Sequence, residues 1–556
     1  MFLFDLFRSF LPMHNPIGFG AADFIELALA VMLVLMTALR GRIEPVARRL
    51  AERPLWSMAF LALLPIALRL ALLPRFPVPT PAGADDFSYL LLGDTLAHLR
   101  LANPAHPLHQ FFEAVFILQQ PTYSSIFPLG QGVVLAIGQI LGNPWIGVAL
   151  SMGALSAGCY WMLRGWTTAG WALVGGVIAA LEFGPLCQWM NLYWGGAVSG
   201  VAGCLVCGAL PRVRRAPTTR NAAILGAGLG LELLTRPFEF VLLAIATAVF
   251  LLPGWRRVRQ ALPIVAVALL PAVSLTVAQN KAVTGSWTTL PYMLSRYQYG
   301  VPATFTFQPN AVPHRALTPE QELDYRAQSV VHGEGPDSPG KFLARLAERL
   351  HFYRFFFYPP LMVALPAFFA ALRRRWSLVW ALGAVLLFAL ADNFYPYFYP
   401  HYVAALACVF VLAAVAALEF LSRSTAGRAA AALAVFLTFA HFLFWYAMMC
   451  GNQTMLFAAG RFDTADSIDY GDPEGRVHID EELASVAGPH LVFVRYGPQH
   501  MFHEWIHNAA DIDAAYVVWA ADLGDSENQK LIRYYGTRRA WLVEPDARPP
   551  VLRPYE

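Results

Sequence analysis

Long apolar segments separated by short polar breaks cover residues 20–449 of the chain. A helix needs about 20 apolar residues to cross a bilayer, and fewer where its ends are buried in protein. The pattern therefore predicts a mainly α, polytopic protein with about 12–13 membrane spans. The candidate segments are 20–39, 55–73, 128–142, 144–163, 169–187, 194–209, 221–235, 237–252, 261–279, 355–372, 377–391, 403–421 and 429–449.

Short arginine clusters between some of these segments indicate which ends face the cytoplasm, because basic residues collect in cytoplasmic loops. The clusters lie within residues 40–49, 212–215, 256–259, 373–375 and 423–428. The same rule places four polar stretches on the outer side. These stretches are 74–127, 280–354, 392–402 and 451–556.

One part of this arrangement needs an irregular helix. Four apolar segments separate the outer stretch 74–127 from the inner cluster 212–215, where an odd number is required. Either one segment enters the membrane without crossing it, or two form one bent span. The stretch 181–196 is the candidate, because its glycines and aromatic residues suit a broken helix that lines a cavity.

The outer stretches carry their own periodic patterns. Apolar residues at helical spacing predict two surface-lying helices, at 85–100 and 106–120. Residues 451–556 change in character and predict a small α/β domain, which divides the chain into a membrane module, 1–450, and an outer domain. Its predicted elements are strands at 490–496, 514–520 and 539–545 and a helix at 525–536.

Composition supports a membrane protein and excludes an ordinary water-soluble enzyme. Hydrophobic residues make up 57% of the 556 residues and charged residues 14%, against about 25% charged in average soluble domains. The membrane module holds 31 basic and 20 acidic residues, whereas the outer domain holds 9 and 17. The first ten residues lack the basic region and cleavage site of a signal peptide.

The pair Asp85-Asp86 is the most informative polar site in the sequence. Adjacent carboxylates repel each other, which raises the pKa of one and leaves a base close to Tyr89. The alternative is structural, since Asp is a preferred residue at the N-cap of a helix, here one beginning at Phe87.

An acidic pair followed by a tyrosine three residues later, in the first large outer loop, resembles the signature of the GT-C glycosyltransferases. The similarity is to the bacterial protein-mannosyltransferase-like and lipid A aminoarabinose-transferase-like branches, and to a largely uncharacterised bacterial subgroup. Further matching strings occur along most of the chain, in a consistent order. They are 94–107, 119–125, 128–132, 193–196, 235–239, 400–402, 494–500 and 541–546.

The resemblance implies transfer of a sugar from a polyprenyl-phosphate carrier to a glycan, lipid or protein acceptor, with inversion and without a metal. It also implies a multi-pass protein of the bacterial inner membrane whose active site faces the periplasm, with no nucleic-acid partner. Asp85 is the expected general base, which takes the proton of the acceptor hydroxyl. Asp86 and Tyr89 are expected to support it.

The lipid phosphate that leaves in such a reaction needs cations where its charge develops. The candidates near the predicted outer boundary are Arg236, Lys281, Arg296 and His401. Arg236 stands between two apolar segments, where its alternative role is an ion pair that fixes the helices. Tyr193 and Trp194 suit stacking on a sugar ring, although aromatic residues also collect at membrane interfaces.

The chain departs from the family at one position. Related enzymes commonly carry a lysine just before the Pro-Pro or Pro-Leu step that ends the first loop, where it would meet the phosphate. Here Ile126 and Phe127 precede Pro128-Leu129. Another basic residue would have to substitute, or donor binding is altered, or the chain is not an active transferase.

Two rival functions follow from other residues. His503, Glu504 and His507 form an HExxH pattern, typical of a zinc protease, but the polypeptide after it is too short for the usual helix. A transporter of lipid-linked substrates is the second, because acidic and basic residues lie within apolar sequence. Those residues are Glu182, Glu232, Arg236 and Glu239.

A third set of polar residues shares the first outer loop and could shape an acceptor or metal site, although a surface role is the ordinary one for such a histidine. The set consists of His98, His106, His109 and Glu113.

Overall fold

The computed structural model describes residues 21–333, 335–450 and 474–555. The first ten residues, which were expected to lack a signal peptide, lie outside the described residues. The expected boundary between the membrane module and the outer domain, at residues 450 and 451, lies at the edge of a described range. Within this part the chain is mainly helical, with a small sheet near the C-terminus, so the fold class expected from the sequence is confirmed.

Apolar helices form a multi-pass membrane bundle. Among the described residues, seven helices are long and apolar enough to cross a membrane, or eight if a bent pair at 339–372 counts as one span. The sequence count of 12–13 also included shorter helices and divided 237–284 into two. The helices of the bundle are α1 Ala21–Ala51, α2 Pro54–Ala71, α4 Leu129–Ile140, α5 Pro144–Leu163, α6 Ala169–Glu182, α7 Gln188–Asn191, α8 Ala197–Arg215, α9 Thr219–Thr235, α10 Pro237–Leu251, α11 Trp255–Val258, α12 Leu262–Thr284, α16 Pro359–Leu372, α17 Trp376–Asp392, α18 Ala407–Leu421 and α19 Thr425–Cys450.

The break expected at 181–196 is present. Helix α6 ends at Glu182, the single turn α7 follows, and α8 begins only at Ala197. Gly196 permits this path, because a Cβ there would lie 2.6 Å from the ring of the fully buried Trp189. The irregular backbone is thus buried in protein, the setting that membrane depth requires.

The four stretches outside the bundle pack together, and we refer to 74–127, 280–354, 392–402 and 474–555 as the loop layer. Its helices are α3 Ala84–Ala97, α13 Pro291–Tyr299, α14 Pro319–His332, α15 Pro339–Arg349, α20 Arg476–Ser485 and α21 Asp525–Tyr535. Helix α3 matches the first predicted surface helix, but its apolar residues are buried within the protein rather than laid on a membrane.

The second predicted surface helix, at 106–120, was wrong. A single 3₁₀ turn occupies His109–Phe112, and two strands follow, β2 Ile117–Leu118 and β3 Thr122–Ser125, with β1 Asn103–Pro104 alongside. A surface helix does not form here because other parts of the protein cover this segment on both of its faces. Residues 111–118 are almost wholly buried, whereas a surface helix would keep one polar face in water.

The C-terminal sheet confirms the three predicted strands and the predicted helix. Strands β4 His490–Val494, β5 Val517–Ala521 and β6 Arg539–Glu544 are parallel, with β4 in the centre, and β7 Val551–Pro554 pairs antiparallel with β6. Strand β7 was not predicted from the sequence. It is a short strand at the edge of the sheet and contains a proline, which edge strands tolerate. One face of the sheet shares a hydrophobic core with the first loop, including Phe111 and Phe112.

Candidate active site

A cavity of about 380 Å³ lies where the loop layer meets the junction of α9 and α10. We call it the central cavity. It is lined by side chains from α3, from the α9–α10 junction, from α14 and from the loop 392–402. The structure brings together five of the residues singled out in the sequence. They are Asp85, Tyr89, Trp194, Arg236 and His401.

Asp85 lies in the first turn of α3, whose N-cap is Gly83. Tyr89, four residues later, lies on the same helix face, so both side chains line the cavity. Burial, Asp86 and Asp324 raise the pKa of Asp85 to about 7, while Arg236 acts in the opposite direction. A carboxyl group with this pKa is poised to accept a proton near neutral pH.

Asp86 faces the protein interior and does not line the cavity. Its carboxylate accepts a hydrogen bond from the backbone N–H of Tyr193 at 3.0 Å and one from that of Ala82 at 3.5 Å. Successive residues of a helix point about 100° apart, which separates the two carboxylates. The helix begins at Ala84 rather than Phe87, and neither aspartate is its N-cap.

Arg236 occupies the extended residue between α9 and α10. Pro237 disfavours helical backbone in the residue before it, so α9 ends here and the arginine side chain enters the cavity. Its guanidinium lies 3.5 Å from a carboxylate oxygen of Glu239 and 4.9 Å from the ring centre of Tyr402. The guanidinium is therefore partly neutralised and fixed in direction.

Aromatic rings form one wall of the cavity. The His401 ring stacks on Tyr399 at 5.6 Å between centroids and meets the edge of Trp194 at 4.7 Å. The Nδ1 atom of His401 is buried and has no hydrogen-bond partner among the described residues. Tyr89, which also lines the cavity, stacks on Phe127 at 4.2 Å between ring centroids.

Besides Asp86, three of the sequence-derived candidates lie outside the cavity lining. Lys281 donates to the Gly285 carbonyl at 2.7 Å, and Arg296 donates to the Pro309 carbonyl at 3.1 Å. Tyr193 donates its hydroxyl hydrogen to the carbonyl of Pro79 at 2.8 Å. Tyr193 thus holds the turn that carries Asp86.

The position at which the sequence resemblance leads one to expect a lysine faces the cavity. Ile126 is buried and lines it, beside Phe127 and Pro128. Among the described residues that line the cavity, Arg236 is the one permanently charged cation.

Gln328, which lines the cavity, was missed in the sequence, and so was Asp324, which is buried one turn earlier on α14. The two side chains are joined by a 2.9 Å hydrogen bond, and burial raises the pKa of Asp324 to about 7. Phe502 reaches the cavity from the C-terminal region. Only the capping box at Thr318 signalled that α14 would form; nothing local indicated which face it buries.

The HExxH pattern does not form a metal site. Glu504 is buried and accepts hydrogen bonds from Tyr496 and from the backbone of Val115, while His507 contacts Arg476. These residues are not helical, so the two histidines are not one helical turn apart. No cluster of three or more metal-binding side chains occurs in residues 21–450 or 474–555, as far as they are described.

The histidines of the first loop have other contacts. His98 bonds to Asp94, His106 contacts Asp513, and His109 bonds to Gln120. Glu113 pairs with Arg315.

Of the acidic residues that suggested a transporter, Glu232 and Glu239 lie in the helices that flank Arg236, whereas Glu182 does not. Glu232 accepts a hydrogen bond from Ser199 at 2.9 Å, and Glu239 pairs with Arg236 at the cavity. Glu182 ends α6 at the broken helix.

Comparison with known proteins gives structural neighbours but no sequence relatives. No protein-family model matches the chain, and no curated protein matches its sequence. The fold is similar to that of ArnT from Cupriavidus metallidurans in the apo state, at 14% identity and a TM-score of 0.48, covering 87% of this chain and 92% of that one.

Two structures of an Archaeoglobus fulgidus enzyme are also similar. The apo oligosaccharyltransferase aligns at 12% identity and a TM-score of 0.40, and AglB in complex with an inhibitory peptide and a dolichol-phosphate at 13% and 0.43. Each alignment covers 88% of this chain and 69% of that one. ArnT and AglB are GT-C glycosyltransferases.

Proposed function

We propose that this protein is a membrane glycosyltransferase that moves a sugar from a polyprenyl-phosphate donor to the hydroxyl group of an acceptor. The observation that carries the proposal is the placement of Asp85 and Arg236 in one cavity at the edge of the membrane bundle. A proton acceptor and a cation for a phosphate are the two groups that such a transfer needs.

In the proposed reaction, Asp85 takes the proton from the acceptor hydroxyl while the oxygen of that hydroxyl attacks the anomeric carbon of the sugar. A new C–O bond forms, and the bond from the anomeric carbon to the phosphate oxygen breaks, with inversion. The polyprenyl phosphate leaves with the bonding electrons, and Arg236 stabilises the negative charge that develops on it. We assign this role to a guanidinium and propose no metal, so activity is expected to survive treatment with EDTA.

The remaining cavity residues suit positioning roles. The buried and unpartnered Nδ1 of His401 is available to hydrogen-bond a phosphate or sugar oxygen. The rings of Trp194, Tyr399 and Tyr89 offer apolar surfaces for a sugar ring or the first units of the lipid. We place the cavity at the periplasmic face of a bacterial inner membrane, where the arginine clusters would orient it.

The direct test is substitution of the base. Asp85→Asn keeps the shape of the side chain but removes the proton acceptor. Transfer of a radiolabelled sugar from polyprenyl phosphate to membrane acceptors is expected to fall by about a hundredfold or more. Asp511→Asn, an exposed carboxylate of the loop layer away from the cavity, is the matched control.

Wild-type transfer by Asp85→Asn, in protein that inserts and folds normally, would overturn the proposal. Substrate flux in proteoliposomes without any sugar transfer would instead favour the transporter.

A further inference from the structure

A second cavity, of about 440 Å³, lies between the start of α14 and the C-terminal sheet. We call it the sheet cavity. The residues just after β4 and β5, including Tyr496 and Asp522, line this cavity. These two strands are parallel, and the chain crosses from β5 over β4 to β6. The carboxyl ends of parallel strands beside such a change of direction are the usual place for a ligand in an open α/β sheet.

Glu320, in the first turn of α14, faces this cavity without a partner. Its side chain is 5% exposed, and its Oε1 atom has no hydrogen bond among the described residues. Leaving a buried polar atom unbonded costs free energy, and a ligand that bonds to it recovers that free energy. The other charged residues of the cavity are already paired. Their pairs are Glu113 with Arg315, Asp522 with Arg495, and His500 with Asp546.

Tyr496 supplies a rigid aromatic wall. Its hydroxyl donates to Glu504 at 2.6 Å and accepts from the backbone N–H of Trp505 at 2.8 Å. The His500 ring stacks against it at 3.9 Å between centroids. Because the ring is only partly buried and cannot rotate away, part of its apolar surface remains open to a ligand.

Helix α14 connects the sheet cavity to the central cavity. Glu320, Asp324 and Gln328 are spaced four residues apart and lie along one buried face of the helix. Glu320 lines the sheet cavity and Gln328 lines the central cavity, about 12 Å further along the helix axis. Asp324 lies between them, and it adds to burial, the main cause, in raising the pKa of both Glu320 and Asp85.

We infer that the sheet cavity binds a hydroxyl-rich portion of the acceptor, a glycan, and that the row of polar residues on α14 leads from it to Asp85. This inference rests on the proposed glycosyl transfer. An unpaired carboxyl oxygen beside an aromatic ring matches sugar hydroxyls and the apolar face of a sugar ring. The cavity has the size of a small-molecule site, and its lining holds more acidic side chains than basic ones, which disfavours an anion.

The test measures glycan binding without turnover, in full-length Asp85→Asn protein held in lipid nanodiscs. The probes are diacetylchitobiose, maltotriose and mannotriose, and saturation-transfer NMR with titration gives the dissociation constants. At least one probe is expected to bind. Adding the Glu320→Ala substitution is expected to raise the dissociation constant of that probe about tenfold, which is the effect of losing one such hydrogen bond.

Two further variants sharpen the result. Glu320→Gln keeps a hydrogen-bonding group and is expected to bind within about threefold of the parent. Glu322→Ala is the matched control, because Glu322 lies on the same helix but is exposed and pairs with Arg326. Should Glu320→Ala fail to fold, Leu523→Trp narrows the cavity at an exposed lining residue and is expected to block binding.

The inference is overturned if none of the three probes binds, or if Glu320→Ala binds them as the parent does. It is also overturned if Glu320→Gln binds as poorly as Glu320→Ala, since the cavity would then recognise a cationic amine through the carboxylate charge. Failure of the proposed function gives a different result, namely normal sugar transfer by Asp85→Asn, with these binding data unaffected.

Discussion

Two adjacent carboxylates of α3 have different surroundings, and the difference comes from helix geometry. Asp86 is held by the backbone of Tyr193, whereas no side-chain hydrogen bond to Asp85 occurs among the described residues. Asp85 instead faces the cavity beside Tyr89. One residue along the chain thus separates a positioning group from the proposed base.

The pKa of Asp85 leads to a prediction for pH dependence. It is raised from 3.8 to about 7 in the folded protein, and the base must be ionised to act. The value of kcat/KM is therefore expected to rise with pH and to level off above an apparent pKa near 7. A pH profile of sugar transfer measures this, and an activity that is flat from pH 5 to 8 would contradict it.

The raised pKa of Asp85 also affects stability: activity is expected to rise with pH, whereas the stability of the folded protein is expected to fall. A raised carboxyl pKa means that the folded state binds more protons than the unfolded state between about pH 4 and 7. Asp85 therefore lowers stability as the pH rises through this window, and Asp85→Asn should remove that loss. Thermal unfolding of the variant and the wild type at pH 5 and pH 8 provides the comparison.

The sequence indicated which local residues lie together, and their roles in a reaction belong to the proposal. The spacing of Asp85 and Tyr89 predicts that they share one face of a helix, and the place of Arg236 between apolar segments predicts that it lies near the membrane boundary. The burial of Asp324 and Gln328 could not be predicted, because a buried polar helix face has the same sequence pattern as a solvated one. Lys281 and Arg296 were close to the boundary in sequence, but the folded backbone turns them to other carbonyls.

Among the elements, the segment around Phe502 links the C-terminal region to the base. The backbone N–H of Ala84 donates to the Phe502 carbonyl at 3.2 Å, and that of Glu504 donates to the Ala82 carbonyl at 3.0 Å. Phe502 has a φ of 67°, in the left-handed region that disfavours a bulky residue. Strain of this kind persists where the surroundings enforce it, often at a functional site.

Phe502→Gly is expected to separate stability from activity. Glycine relieves about 1 kcal/mol of backbone strain, and little packing is lost because the ring is 44% exposed. Thermal stability should be equal or higher, whereas sugar transfer should fall several-fold because a cavity wall is removed. Phe502→Leu keeps an apolar wall and is the control. A glycine variant with lower stability and full transfer would show that the residue has only a structural role.

Element prediction succeeded where a pattern had one explanation. The short apolar runs of β4 and β5, which are rich in valine, predicted strands, and the glycine after α21 marked the end of that helix. The pattern at 106–120 has two explanations, since apolar residues at helical spacing also occur in a segment that protein covers on every side. Only tertiary packing decides between them.

In the whole molecule, the C-terminal region and the first loop share one hydrophobic core. Phe111 meets Phe493 at 6.5 Å between ring centroids, and Phe112 and Leu531 are buried in the same cluster. This shared core could not be predicted from either segment alone, because the partners are nearly 400 residues apart in the sequence.

Removal of residues 474–556 is therefore expected to disturb the site as well as the sheet. The deletion would expose the buried residues of the first loop and withdraw Phe502 from the cavity. We expect the shortened protein to insert into the membrane, to lose sugar transfer, and to be cleaved by protease within 103–127. Resistance to protease there, with normal transfer, would mean that the C-terminal region is an independent attachment.

The most direct measurement is a cryo-electron microscopy structure of the wild-type protein with a polyprenyl-phosphate sugar. We expect the phosphate oxygens of the donor to lie within about 4 Å of the Arg236 guanidinium, which is the distance of an ion pair. We also expect an anomeric carbon that faces the Asp85 carboxylate across the central cavity. A lipid phosphate held at Lys281 or Arg296, with the sugar outside the central cavity, would contradict the account.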